Sequence, residues 1–243
     1  MEPLTDVFGT QTSSAGLSFG LSGVADWSVQ QPFLDVFKTA RPWHGHTEDR
    51  WGAYMTDDLE AAGVMDDNGW ITDLPGDVSR VEAFILTEMP VEATYTGGTY
   101  RLSYDGAGDI SVFGAEIVSQ SNGEIWFNYT PTGDGMVTIS ISATDPQNTG
   151  DYLRNIEVVK QEYIPAFEAG AVFNPLWLDV ISDAQGLRFM DWKETNDSTL
   201  RDWSDRPTVD AYTYQGGVPV EVMVDLANTT GTEPWFHIPW DAN

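Results

Sequence analysis

Cysteine is absent from the 243 residues, which excludes a disulfide framework, a thiolate metal site and a cysteine nucleophile. Basic residues are scarce: 11 Lys and Arg stand against 38 Asp and Glu, leaving a formal net charge of −27. A surface of that sign repels nucleic-acid phosphates and anionic membranes, so neither is expected as a partner. It fits high salt, calcium-rich surroundings or simple solubility. No run of 18 apolar residues occurs, so no membrane-spanning helix is expected. The first residues, Met1-Glu2-Pro3-Leu4-Thr5-Asp6, lack the basic and apolar segments of a secretory leader. Such a start is compatible with export by another route, with prior removal of a signal, or with retention inside the cell.

Apolar and aromatic residues are plentiful. Hydrophobic residues make up 41% of the chain, enough for a packed core, and the aromatics number 10 Trp, 9 Tyr and 11 Phe. Flat indole faces stack on sugar rings, and the same residues serve equally well as core.

Residues 1–17 are rich in Ser, Thr and Gly and read as a flexible leader. A strand is expected at about 18–25. Phe33, Val36, Phe37 and Ala40 then recur at helical spacing behind Pro32, and Arg41-Pro42-Trp43 closes that helix. From 79 to 160 the pattern changes to short alternating strands such as Thr99–Tyr104, Glu124–Tyr129 and Met136–Ala143, with Gly and Asp turns between them, as in an antiparallel β-sandwich. After a linker at 163–172, Asn174-Pro175 opens a helix that stops at Gly186, a strand follows at 187–191, and Gly216-Gly217-Val218-Pro219 opens a further helix ending at Gly231. A strand at 235–238 ends the pattern. Strand, helix, strand implies parallel neighbours. The expected fold class is α/β plus all-β: a partial (β/α)8 barrel of about three βα units over 18–60 and 163–243, with a β-sandwich inserted at 79–160.

In a barrel the chemistry sits where the strands end. Asp26, Asp191 and Asp241 fall at or just past such ends, each beside a tryptophan (Trp27, Trp192, Trp240). Carboxylates there serve as acid, base or nucleophile on a glycosidic bond, or simply cap the next helix. Arg188 lies within the second barrel strand, and burial would demand a partner, Asp26 or another strand-end acid. His237 sits between Trp235 and Trp240, where it would reach a sugar hydroxyl. His44 and His46 form a His-x-His pair of the kind that holds a metal, though two loop histidines are more often solvated. Asp66-Asp67-Asn68-Gly69 resembles part of a Ca²⁺ loop without its terminal Glu, and reads better as a turn. The stretch Trp192 to Pro207 is a long polar loop, either a ligand-facing lip or a self-packed loop.

Five runs, GVADWSVQQPFLDVFKTARPW, DYLRNIEVV, LRFMDWKETNDSTLRDWSDRP, GGVPVEVMVDLAN and PWFHIPWDAN, resemble the N-terminal half of secreted bacterial glycoside-hydrolase-like proteins, often described as cellulose-binding or calcium-binding repeat proteins. The resemblance implies a (β/α)8 barrel whose catalytic carboxylate pair lies beyond these residues. It makes Asp26, Arg188, Asp191, Trp192, His237 and Asp241 cleft-lining residues, and with the neighbouring Trp27, Trp235 and Trp240 these form the expected substrate-binding set. It also implies a secreted or surface location, a polysaccharide or oligosaccharide ligand, Ca²⁺ as the one conceivable cofactor, and the remainder of the barrel as a partner. Two other readings stand beside it: a carbohydrate-binding sandwich using Tyr95, Tyr100, Trp126 or Tyr129, and an adhesive surface protein whose acidic loops take up Ca²⁺.

Overall fold

The computed structural model describes residues 16–196 and 198–240. Eleven strands are formed: β1 (Leu17–Gly20), β2 (Arg41–His46), β3 (Arg80–Ile85), β4 (Gly98–Asp105), β5 (Gly108–Phe113), β6 (Glu116–Ser121), β7 (Glu124–Tyr129), β8 (Val137–Thr144), β9 (Arg154–Lys160), β10 (Ala184–Arg188) and β11 (Glu233–Trp235). Four α-helices accompany them: α1 (Thr56–Ala61), α2 (Ile164–Glu168), α3 (Pro175–Val180) and α4 (Val220–Thr230).

Two four-stranded antiparallel sheets, ordered β2-β3-β8-β5 and β6-β7-β4-β9, face each other as a sandwich. Alternation explains why. In β8, Val137, Ile139 and Ile141 are fully buried and meet Val81, Ala83 and Ile85 of β3 in one core, joined from the opposite sheet by Tyr100, Leu102, Ile125 and Phe127. Each such side chain contributes about 2 kcal/mol by leaving water.

The third sheet is parallel, ordered β1-β10-β11. Leu187 of β10 and Phe189 just past it cluster with Trp177 of α3 and with Val222, Met223 and Leu226 of α4. Phe236 stacks on Phe189 at 5.3 Å. The outer face carries two rows in register, Ser18-Gly186-Glu233 and Gly20-Arg188-Trp235, which border a groove of about 360 Å³.

The expected partial (β/α)8 barrel is not formed. Eight of the eleven strands belong to antiparallel sheets, and the parallel strands make a small open sheet without the helix-for-strand alternation of a barrel. The helices are too short to form an outer ring: α1, α2 and α3 span 6, 5 and 6 residues, and α4 spans 11. The segment expected as the first barrel helix is mostly irregular, with a 3₁₀ turn at Val36–Thr39. Its helically spaced residues serve two cores. Phe33 packs with Phe173 and Trp192 in the smaller unit, whereas Val36, Phe37 and Ala40 enter the sandwich. Arg41-Pro42-Trp43, read as a helix stop, begins β2 and pairs with β3. The expected leader falls almost wholly outside the described residues.

The two units are bolted together. Asp26, fully buried, takes Arg41 (Nη2 to Oδ2, 2.8 Å) and the Thr87 hydroxyl on its carboxylate, while its carbonyl accepts the Thr87 N–H at 2.9 Å. Thr87 is flanked by two left-handed residues that are not glycine, Leu86 (φ 52°) and Glu88 (φ 51°). On the other side of the joint Tyr212 inserts into the sandwich core, stacked on Trp43 at 5.6 Å, and Lys38 Nζ donates to the Ala211 carbonyl at 2.6 Å.

Candidate functional site

Of the residues singled out in the sequence, the structure gathers three. Arg188 Nε donates to His237 Nε2 at 3.3 Å, its guanidinium lies 5.3 Å over the Trp235 ring, and Trp235 stacks on His237 at 5.5 Å. Because His237 Nε2 accepts, the ring proton sits on Nδ1. Arg188 therefore pairs with the His237 ring and not with Asp26, which is engaged at the joint. The remaining residues lie apart. Trp192 is core, packed between Trp177 and Phe33 with its Nε1 donating to the Ser22 carbonyl at 3.1 Å. Asp191 is exposed at the start of a 3₁₀ turn, Asp191–Lys193. Trp27 and Trp240 are exposed, and Asp241 lies outside the described residues.

The sandwich exposes Trp51 and Phe113, neither of them among the residues suggested for a sandwich ligand site. Tyr100 and Tyr129 are buried, Trp126 is half-buried, and the Tyr95 hydroxyl donates to the Val29 carbonyl at 2.6 Å. Asp66 forms a turn: its Oδ1 accepts the N–H groups of Asn68 and Trp70 at 2.9 and 2.8 Å. Among the described residues no cluster of three His, Asp or Glu side chains is placed to hold a metal ion. His44 Nδ1 lies 2.7 Å from the Pro42 carbonyl, and His46 is sealed under Trp51 beside Glu82.

A cavity of about 340 Å³ at the joint holds the most perturbed carboxyl. Burial pushes Asp35 from its ordinary 3.8 up to about 6. Its Oδ1 accepts the Phe37 N–H (3.0 Å) and the Val158 N–H (2.8 Å), so it caps the 3₁₀ turn and ties it to β9. Burial also lowers the Lys38 ammonium and raises the Tyr214 hydroxyl, whose proton goes to the Val209 carbonyl at 2.9 Å. Each of these groups already has a backbone partner, and the cluster is architectural.

A cleft of about 680 Å³ lies beside the parallel sheet. The polar loop from Lys193 to Pro207 forms one wall, Gly216–Val220 another, and Ile238-Pro239 a third. Local rules shape the loop. Val218 N–H donates to the Trp192 carbonyl at 2.7 Å, Glu194 turns left-handed at φ 48°, and a second 3₁₀ turn, Trp203–Asp205, opens with the Asp202 N–H on Asp205 Oδ2 at 3.3 Å. Arg206 lies 4.2 Å over the Trp203 ring and holds Glu221 at 2.8 Å, which fixes the indole. Leu200, Val218 and Val220 supply apolar lining. Lys193 is half-buried there, and burial lowers its pKa. Among the described residues no carboxylate comes within 4.0 Å of its ammonium.

The sequence marked this loop as a possible lip but gave no weight to Lys193 or Arg206. The one available signal was composition: 3 of the 11 basic residues, Lys193, Arg201 and Arg206, line this single cleft. Compared with protein family models, with curated proteins and with solved structures, the chain finds no match.

Proposed function

We propose that the protein binds carbohydrate, and that the cleft walled by Lys193–Pro207, Gly216–Val220 and Ile238-Pro239 is the ligand site. The supporting observation is the placement of indoles. Trp27, Trp203, Trp235 and Trp240, on the parallel-sheet unit, are 62%, 68%, 60% and 85% exposed, and one further exposed indole, Trp51 at 61%, lies on the sandwich; Trp43, Trp70, Trp177 and Trp192 are buried. An exposed indole leaves a large apolar face in water, and several on one unit mark a contact surface. Trp203 lines the cleft of about 680 Å³, and Arg206 clamps its ring in place; Trp27 lines a separate hollow of about 650 Å³. A lining of apolar and polar residues together suits a sugar, whose C–H face stacks and whose hydroxyls need hydrogen bonds. The proposal is one of binding; hydrolysis is no part of it.

Affinity electrophoresis of the 243-residue chain through gels containing different polysaccharides tests the reading. At least one gel should retard the protein, and Trp203→Ala should weaken that retention about tenfold or more, as expected for an aromatic anchor worth more than 1.4 kcal/mol. Trp126→Ala, on the sandwich, should leave it unchanged. Free migration in every gel, or equal retention of the Trp203→Ala protein, would refute the assignment.

A further inference from the structure

We infer that the ligand is a length of glycan chain and not a single sugar, bound across two adjoining hollows with Trp203 as the stacking platform of one and Trp27 as that of the other. The inference rests on the carbohydrate reading above and goes beyond it in naming the ligand's length and a second set of contact residues.

Three observations combine. First, the hollows adjoin. Glu194 and Gln215 line both the cleft of about 680 Å³ and the hollow of about 650 Å³, so one wall serves the two. That wall is polar, a carboxylate and a carboxamide. Gln215 Oε1 accepts no hydrogen bond among the described residues, and a hydroxyl lying along the wall would supply a donor. Second, the hollow is firm around its indole. Trp27 stands on a turn closed by the Ser28 N–H on the Ala25 carbonyl at 3.1 Å, and its neighbour Asp26 is gripped by Arg41 and Thr87. The chain beyond is tied down as well: Gln31 Nε2 donates to the Ser28 carbonyl at 3.0 Å and the Tyr95 hydroxyl to the Val29 carbonyl at 2.6 Å. Trp27 nevertheless keeps most of its ring in water. An exposed indole on a pinned turn is set in advance for a contact, as Trp203 is under Arg206, so little ordering cost falls on binding. Third, two platforms in neighbouring hollows reward length. A ligand that reaches both makes its second contact as an intramolecular step, and its affinity rises without any new kind of interaction. A single sugar reaches one platform and gains nothing from the other.

The test uses disaccharide, tetrasaccharide and hexasaccharide fragments of the polysaccharide that retards the protein most strongly in the gels, each titrated calorimetrically into the full chain. Affinity should rise about tenfold or more from the disaccharide to the hexasaccharide, with one hexasaccharide per chain. Trp27→Ala should bring the hexasaccharide close to the affinity of the disaccharide. Trp27→Phe, which keeps a flat ring, should retain part of the gain, and Trp51→Ala, which removes an exposed indole from the sandwich, should retain all of it. Thermal melting of each variant confirms that it is folded. An affinity that does not change with length, two hexasaccharides per chain, or a gain that survives in Trp27→Ala overturns the inference while the carbohydrate reading stands. Free migration in every polysaccharide gel overturns both.

Discussion

Asp35 shows how a single carboxyl is used for construction at the expense of comfort in water. Both N–H groups on its Oδ1 would be equally satisfied by an amide oxygen, yet burial leaves the ionised form disfavoured. Its folded-state pKa of about 6 lies above the ordinary 3.8, so between those values the folded chain holds the proton that the unfolded chain has released. Stability from this group is therefore present at low pH and declines as pH rises from about 4 to about 6. Asp35→Asn removes that decline. Between pH 4 and pH 7 the unfolding free energy of Asp35→Asn should gain on the native protein by roughly 3 kcal/mol, the equivalent of about two pKa units. Urea unfolding at the two pH values measures it. A gap that stays constant with pH would show that the carboxyl is not the titrating group.

At the scale of elements, the β2 hairpin carries the opposite pH dependence. Gly52 N–H donates to His46 Nδ1 at 2.7 Å, which leaves the ring proton on Nε2, 3.0 Å from Glu82 Oε2, with Trp51 stacked above at 5.1 Å. Arg80 also contacts Glu82 (2.7 Å), and His44 stands beside the pair. Burial lowers the His46 pKa below 6.5, so its contribution is whole above that pH and is lost as pH falls below it. Protonation would set Nδ1–H against the Gly52 N–H and loosen the hairpin tip. Relative to His46→Gln, the native chain should lose unfolding free energy on going from pH 7 to pH 5, with a red shift of Trp51 emission. An unchanged difference would argue against the buried imidazole.

The elements also show where sequence reading succeeds. Strict alternation in Val137–Thr144 and Glu124–Tyr129 made the sandwich legible, because a period of two has one structural meaning when one face is buried. Phe33, Val36, Phe37 and Ala40 misled because helical spacing is also produced by a chain that threads between two cores. Arg188, Trp235 and His237 were each singled out in the sequence, but Arg188 was given an acid as its partner, and its bond to the His237 ring depends on the path of the chain just past β11. The Lys193 cleft was not, because its walls come from loops whose approach depends on Val218 meeting the Trp192 carbonyl across 26 residues of sequence.

For the whole molecule, the question is whether two cores melt as one. Tyr212 spans them: its ring stacks on Trp43, its hydroxyl accepts the Trp43 N–H at 3.3 Å, and two residues on, Tyr214 packs edge-on against Phe33 in the other core. The native chain should therefore unfold in one cooperative transition. Tyr212→Ala should cost about 3–5 kcal/mol and separate calorimetric melting into two steps. A single step in the variant would mean that the joint holds without this ring.

The turn at Leu86–Glu88 acts as a sprung clasp. Two side-chain-bearing residues held left-handed cost about 1 kcal/mol or more each, and the catch that keeps them there is the grip of Asp26 on Thr87. Without the catch, the strain is offset only by the burial of Leu86 and by the bonds of the Glu88 N–H to the Gly135 carbonyl and of the Tyr129 hydroxyl to the Leu86 carbonyl. Across diverged descendants of this chain, loss of the acid at position 26 should accordingly travel with glycine or asparagine at position 88, while position 86 stays apolar.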